Sequence, residues 1–137
     1  MLNTLPEIAW AAWLLGGCAV ACWKGGRDER LTAGLLALAW ITSQFVLHRR
    51  WTEVQWGVAA VDVLLLVALG GIALRGDRFW PLFATAFQLL VFAGHAAQAL
   101  DRTLGGWAYL SAGVFWSYLV VAALAAGAWL ESGRPRV

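Results

Sequence analysis

The chain has 137 residues, of which 61% are hydrophobic and only 13% are charged, and its formal net charge is +2. Soluble domains carry roughly 25% charged residues, about twice this fraction, so the composition excludes an ordinary water-soluble protein. The small net charge and the lack of a basic stripe argue against nucleic acid as a partner.

Five apolar runs follow one another along the chain and are separated by four short polar breaks. Each run approaches the roughly 20 residues that a helix needs to cross a bilayer. Because the runs are continuously apolar and do not alternate, they predict helices rather than the strands of a barrel. The predicted fold class is therefore all-α, a polytopic membrane helix bundle of about five transmembrane helices in one domain. The spans are expected at residues 6–23, 31–47, 54–74, 79–100 and 107–130.

The first run could be taken for a cleaved secretory signal. Residues 1–10 contain Glu7 and no Lys or Arg, and residues 19–21 form only a weak cleavage pattern, so we interpret the run as a retained span. Cys18 and Cys22 are the two cysteines of the chain. No further metal ligands lie near them in sequence, which favours a packing role over a metal site.

Lys and Arg residues in the breaks predict the orientation, because cytoplasmic loops are enriched in both. One side of the membrane is expected to hold Lys24, Arg27, Arg30, Arg75, Arg78, Arg134 and Arg136. The other side is expected to hold Arg49, Arg50 and Arg102. The first side is therefore expected to be cytoplasmic. This predicts a multi-pass protein of the bacterial inner membrane with its N-terminus outside and its C-terminus inside.

Polar side chains within a bilayer are costly, so each needs a partner or a purpose. With a rise of about 1.5 Å per residue, Asp62 is expected roughly 12 Å and His95 roughly 8 Å below the outer boundary. The same outer layer is expected to contain Ser43, Gln44 and Ser111, at about 5–6 Å. The inner half of each span is nearly free of polar groups.

Asp62 and His95 form the pair most suited to a ligand or proton site. An ionised carboxylate in hydrocarbon is expensive, and a protonated imidazole nearby would offset it; alternatively, both groups are neutral and share a hydrogen bond. The pair could also be a structural clasp that determines helix order, or could face an outer vestibule. Gln88, at about 18 Å, and Gln98 share the face of His95. The fourth helix is therefore predicted to turn a polar stripe toward the bundle or toward a partner.

Two redox alternatives also involve His95. The imidazole could ligate haem, although His48, the other histidine, is expected at the membrane surface and not at a matching depth. A quinone site near the interface would be lined by His95, Trp107 and Tyr109. Nucleotide-binding loops, nucleophile elbows and zinc-protease motifs are missing from the sequence, so an enzyme is not expected.

These observations favour a small non-enzymatic membrane protein that acts as an accessory or self-assembling subunit of a membrane complex. Its expected partners are the lipid bilayer and other subunits or further copies of the chain. The first alternative is a small oligomeric ion channel or proton-coupled transporter that uses Asp62, His95 and Gln88. The second is a haem- or quinone-binding redox subunit. The candidate site residues are Asp62, His95, Gln88, Gln44 and Ser111.

The stretch from Arg78-Phe-Trp-Pro through Gly94-His95, together with Trp116-Ser117-Tyr118, resembles small multi-pass membrane proteins of unknown function from alphaproteobacteria. The resemblance covers roughly the last two-thirds of the chain. It implies the same kind of membrane bundle and no particular activity, so it assigns no role to any residue.

Overall fold

The computed structural model describes residues 5–46, 55–101 and 106–131, with side chains for 6–46, 55–101 and 111–131. Within these ranges the chain is helical and contains no strand, which confirms the all-α fold class. The five helices are α1 (Leu5–Lys24), α2 (Arg27–Val46), α3 (Trp56–Arg75), α4 (Trp80–Leu100) and α5 (Gly106–Leu130).

The helices form a closed ring. Each helix packs against the next, and α5 packs against α1. Short connections make sequential helices antiparallel, whereas α5 runs parallel to α1: the Trp13 indole N–H donates to the Tyr118 carbonyl over 3.1 Å, and the Trp23 ring meets the Trp129 ring edge-on. The ring therefore has a first end, where α1, α3 and α5 begin, and a second end, where α2 and α4 begin.

Four of the helices are long and apolar enough to cross a membrane: α1, α3, α4 and α5. Large apolar side chains are exposed on the outside of the ring, among them Leu64, Leu74 and Leu130. Contiguous apolar surface of this kind is a liability in water, whereas lipid tails solvate it. Length, composition and exposed surface together identify a transmembrane protein.

The start of α2 differs from its predicted span. The apolar run begins at Leu31, but the helix begins at Arg27 and so takes in a charged first turn. The backbone N–H of Gly26 donates to Glu29 Oε2 over 2.8 Å, which is the bond that a Glu at the third helical position makes to the N-cap in a capping box. Acidic side chains in a first turn also interact favourably with the helix dipole. These contacts extend the helix into the predicted break.

The half of the ring near the second end is filled by side chains. Its completely buried members are Ala21, Leu69, Ala84, Leu124 and Ala128. Gly127 allows α4 and α5 to approach closely, because a Cβ atom there would collide with the Trp80 ring. Small residues at such contacts are the usual means of packing helices in a membrane.

Candidate functional site

A cavity of about 360 Å³ lies inside the ring in the half near the first end. All five helices line it, and Leu14, Leu36 and Leu65, which belong to the hydrophobic core, form part of its apolar wall. Trp10 and Trp40 add aromatic surface. The polar side chains in the lining are Glu7, Ser43, Gln44, Asp62, Gln88, His95 and Ser117.

Asp62 is the centre of the polar part of the lining. Its Oδ1 accepts a hydrogen bond of 2.9 Å from Gln88 Nε2, which also lies 3.3 Å from the Asp62 carbonyl oxygen. Its Oδ2 lies 2.8 Å from His95 Nε2. The expected juxtaposition of Asp62 and His95 is therefore present. It arises because α3 and α4 are antiparallel neighbours, so that one position on α3 faces two positions about two turns apart on α4.

The Asp62 side chain retains access to the cavity. It is 18% exposed, compared with 9% for the His95 side chain, and Gln88 is buried. An ionised carboxylate offers about four lone-pair sites, and Gln88 and His95 occupy two of them. The carboxylate thus keeps hydrogen-bond accepting capacity toward the cavity.

The other predicted site residues have different positions. Gln44 is half-buried and lines the cavity together with Ser43. Ser111 is exposed and is not part of the lining; Ser117, on another face of α5, lines the cavity instead. The Ser117 hydroxyl donates to the Gly113 carbonyl over 2.9 Å. Depth along α5 was predictable from the sequence, but the rotation of the helix was not.

The predicted polar stripe on α4 faces the bundle. Gln88, His95 and Gln98 are all buried, whereas Phe83 points outward and is exposed. Oε1 of Gln98 has no hydrogen-bond partner among the described residues. Of the two directions left open by the sequence, the bundle interior is the one observed.

A second polar cluster lies at the other end of the ring, and sequence reasoning missed it. Glu29 is completely buried there, and its Oε1 accepts hydrogen bonds from Arg78 Nη1 over 2.8 Å and from Trp80 Nε1 over 2.9 Å. Arg78 Nη1 also donates to the Glu131 carbonyl over 3.3 Å. The sequence pattern assigned Glu29 and Arg78 to polar breaks. A glutamate three residues after Gly26 was the one available signal, since it matches a helix start.

The buried part of α2 at this end includes two polar residues, one from the predicted break and one from the beginning of the predicted span 31–47. Glu29 and Thr32 on α2 are both completely buried, and the Thr32 hydroxyl has no hydrogen-bond partner within the described ranges. The sequence pattern placed Glu29 in a polar break, so its burial was not predicted.

The redox alternatives depend on His95, His48, Trp107 and Tyr109. His95 Nε2, the nitrogen that a haem iron would use, is in contact with Asp62 Oδ2. His48 and the side chains of Trp107 and Tyr109 lie outside the described residues. No group of three or more His, Cys, Asp or Glu residues that could hold a metal ion occurs in the described part of the chain.

Comparison with protein-family models, with curated proteins and with solved structures found no match to this chain. Function therefore has to be argued from the site itself and not from relatives.

Proposed function

We propose that this chain is a multi-pass membrane protein that binds a small, largely apolar molecule in the cavity near the first end of the ring. The observation that carries the proposal is the cavity itself, about 360 Å³ in volume, with apolar walls and the converging polar groups of Asp62, Gln88 and His95. Binding sites for small molecules are typically concave, about 300–1,000 Å³ in volume, mostly apolar, and equipped with a few placed polar groups.

The exposure and the hydrogen bonding of the Asp62 carboxylate support ligand binding over a purely structural role. A carboxylate at this depth is costly, and such groups commonly mark functional sites. Glu29 shows how this chain buries a carboxylate that has a structural role: it is completely buried and accepts hydrogen bonds from three residues. Asp62 has hydrogen-bonding partners on two residues and stays partly exposed to a cavity.

We further propose that all five helices cross the bacterial inner membrane with the N-terminus outside. α2 lies between α1 and α3 in the ring, which supports its crossing beside them. The second end carries Lys24, Arg27, Arg30, Arg75 and Arg78, and positive charge is enriched on the cytoplasmic side. The cavity would then face the outside. The remaining charges that enter the prediction, Arg49, Arg50, Arg102, Arg134 and Arg136, lie outside the described residues.

A protein this small is proposed to work within an assembly, delivering or holding the bound molecule for other subunits or for further copies of itself. Association remains a prediction of the sequence. A mass measurement on the chromatographically purified protein in mild detergent tests it: complexes or oligomers are expected, and a stable lone monomer would contradict the assembly.

The test of binding uses two matched glycine variants. Gly113 lines the cavity, and a Cβ atom there meets no other atom within 4 Å, so Gly113→Leu puts a side chain into open space beside the site. Gly34 also has open space at its Cβ position but does not line the cavity, which makes Gly34→Leu the control. Each protein is purified from its host membrane and denatured, and the released small molecules are identified by mass spectrometry.

The expected result is a molecule that accompanies the wild type and the Gly34→Leu variant and is lost from the Gly113→Leu variant. The same set of molecules in all three preparations, or none in any of them, would contradict binding in the cavity.

A second candidate function is proton-coupled transport, which the 2.8 Å contact between Asp62 Oδ2 and His95 Nε2 favours. Chains of acidic residues and histidines form proton relays in pumps and transporters. We expect Asp62→Asn to abolish proton flux into proteoliposomes that contain a pH-sensitive dye. Unchanged flux in the variant, or no flux with the wild type, would remove this candidate.

A further inference from the structure

We infer that the molecule bound in the cavity carries a hydrogen-bond donor, a hydroxyl or an ammonium group, and gives it to the carboxylate of Asp62. The inference rests on the proposed function, since it describes the ligand of the same cavity. It predicts that a ligand whose polar atoms only accept hydrogen bonds binds more weakly than a donor of the same size.

The first step concerns the partners of Asp62. Both of its side-chain hydrogen-bonding partners come from α4, where Gln88 approaches Oδ1 and His95 approaches Oδ2. A carboxylate accepts about four hydrogen bonds, and it donates none while ionised. The cavity side of Asp62 is therefore an acceptor, and its complement in a ligand is a donor.

The second step concerns the remaining polar groups. The Ser117 hydroxyl donates its hydrogen to the Gly113 carbonyl. The Ser117 oxygen can therefore accept a hydrogen bond from a ligand but has no hydrogen left to donate. Glu7 adds a second carboxylate, and no Lys or Arg occurs among the described lining residues. A ligand anion would thus meet two carboxylates and no Lys or Arg, and the donors in the lining that could contact it are those of Ser43, Gln44 and His95.

The third step concerns size and shape. An apolar cavity of about 150 Å³ holds a benzene molecule, so about 360 Å³ leaves room for a ring with a short alkyl chain and one polar group. Trp10 and Trp40 in the lining favour an aromatic body, and their rings also attract a cationic group. The ligand class is therefore a small alkylated phenol or alcohol, or an aryl-alkyl amine.

The experiment compares probes of the same size that differ in hydrogen bonding. para-Butylphenol donates through its hydroxyl group, its isomer para-propylanisole has a methylated oxygen that only accepts, and phenylbutylammonium donates from a cation. Their affinities are measured by titration calorimetry with the full chain in detergent micelles, and titrations into empty micelles are subtracted. The proteins are the wild type and the Asp62→Asn, Gly113→Leu and Gly34→Leu variants.

We expect the phenol and the ammonium probe to bind about ten- to a hundredfold more tightly than the anisole, which is the range for a hydrogen bond to a charged group. Asp62→Asn should remove most of this preference. Gly113→Leu should lower the affinity for all three probes, and Gly34→Leu should bind them as the wild type does. The comparison of phenol with anisole on the wild-type protein needs no variant, so it decides whether the cavity prefers a donor even if Asp62→Asn does not fold. An unchanged preference in a folded Asp62→Asn variant would overturn the assignment to Asp62.

The two levels of the proposal fail in different ways. If the anisole binds as tightly as the phenol and Gly113→Leu weakens both, the cavity binds small molecules and the donor inference is overturned. If Gly113→Leu weakens none of the probes relative to Gly34→Leu, binding in the cavity is itself overturned.

Discussion

Each end of the bundle contains a carboxylate that packs among the helices, and the two carboxylates differ in burial and in hydrogen bonding. Glu29 at the second end is completely buried and accepts hydrogen bonds from the Gly26 backbone, the Arg78 guanidinium and the Trp80 indole. Asp62 at the first end has two partners and is 18% exposed beside a cavity. The same chemical group thus accepts three hydrogen bonds and is completely buried in one place, and accepts fewer beside open space in the other.

The cluster around Glu29 connects chain segments that are distant in sequence. Glu29 belongs to the start of α2, Trp80 to the start of α4, and Arg78 also bonds the Glu131 carbonyl just after α5. The buried Glu29 carboxylate accepts from the backbone at the start of its own helix and from two side chains that lie near the start of α4. These bonds hold the segments in one arrangement. The cluster around Asp62 joins α3 and α4 and lies beside the cavity. This difference predicts stability effects at one end and binding effects at the other.

The largest expected effect is that of Glu29→Ala. Removing one partner of a buried ion pair costs about 3–5 kcal/mol. Glu29→Ala should fall near the lower end of this range, because Arg78 is 16% exposed and still lies 4.0 Å from the Glu131 carboxylate. The measurement is reversible unfolding in detergent. Asp28→Ala, in the same helix turn, is the control and should cost within about 1 kcal/mol, since it loses only the interaction with the helix dipole. Equal costs for the two variants would contradict the structural role of Glu29.

The next effect concerns the packing beside that cluster. A Cβ atom at Gly127 collides with the Trp80 ring, so Gly127→Ala should lower the free energy of unfolding by about 1–3 kcal/mol through overpacking. At Gly71 a Cβ atom meets nothing within 4 Å, so Gly71→Ala should be neutral or stabilising by up to about 1 kcal/mol. If both variants behaved alike in the same unfolding measurement, the close approach of α4 and α5 would be refuted.

Much of the fold could be predicted because the length and hydropathy of a span are local properties of the sequence. The contact between Asp62 and His95 could be predicted for a related reason. Depth along a helix follows from a constant rise, and neighbouring antiparallel helices bring equal depths together. The two residues were expected in one layer and are found 2.8 Å apart.

What could not be predicted depends on helix rotation and on distant partners. Ser111 and Ser117 occupy the same helix, and only the packing of α5 determines that the second one lines the cavity. Glu29 appears in the sequence as one charge among several in a polar break. Its burial follows from the convergence of Arg78 and Trp80, which lie about fifty residues further along the chain.

The glycines illustrate the same limit of sequence reasoning. Small residues in membrane helices often permit close helix approach. Gly17 does so, because a Cβ atom there would collide with Val121, whereas Gly16 beside it faces open space. Composition identifies the residues that allow contact, and rotation decides which of them make it.

A double-mutant cycle at Asp62 and His95 measures how structural the first-end cluster is. Hydrogen bonds between membrane helices couple by about 0.6 kcal/mol on average and by about 1.7 kcal/mol at most, so Asp62→Asn and His95→Gln should couple within this range. The cycle is read from reversible unfolding of the wild type, both single variants and the double variant. A coupling of about 3 kcal/mol, at the upper limit for residues in contact, would make Asp62 a structural clasp.

The smallest expected effect is that of Lys24→Gln, which tests whether stability depends on burial of a charged group or only on its position at the second end. Lys24 lies at the same end as Glu29, but it is exposed, with its Nζ 4.9 Å from the Trp23 ring centroid and 4.8 Å from that of Trp129. Exposed cation–π contacts contribute about 0.5–1 kcal/mol, so Lys24→Gln should reduce the free energy of unfolding by that amount. Arg27→Gln removes one charge from the same end and serves as the control, with no change expected. A loss at Lys24 as large as that of Glu29→Ala would mean that the second end is sensitive as a whole, and that burial of the carboxylate is not what distinguishes the two ends.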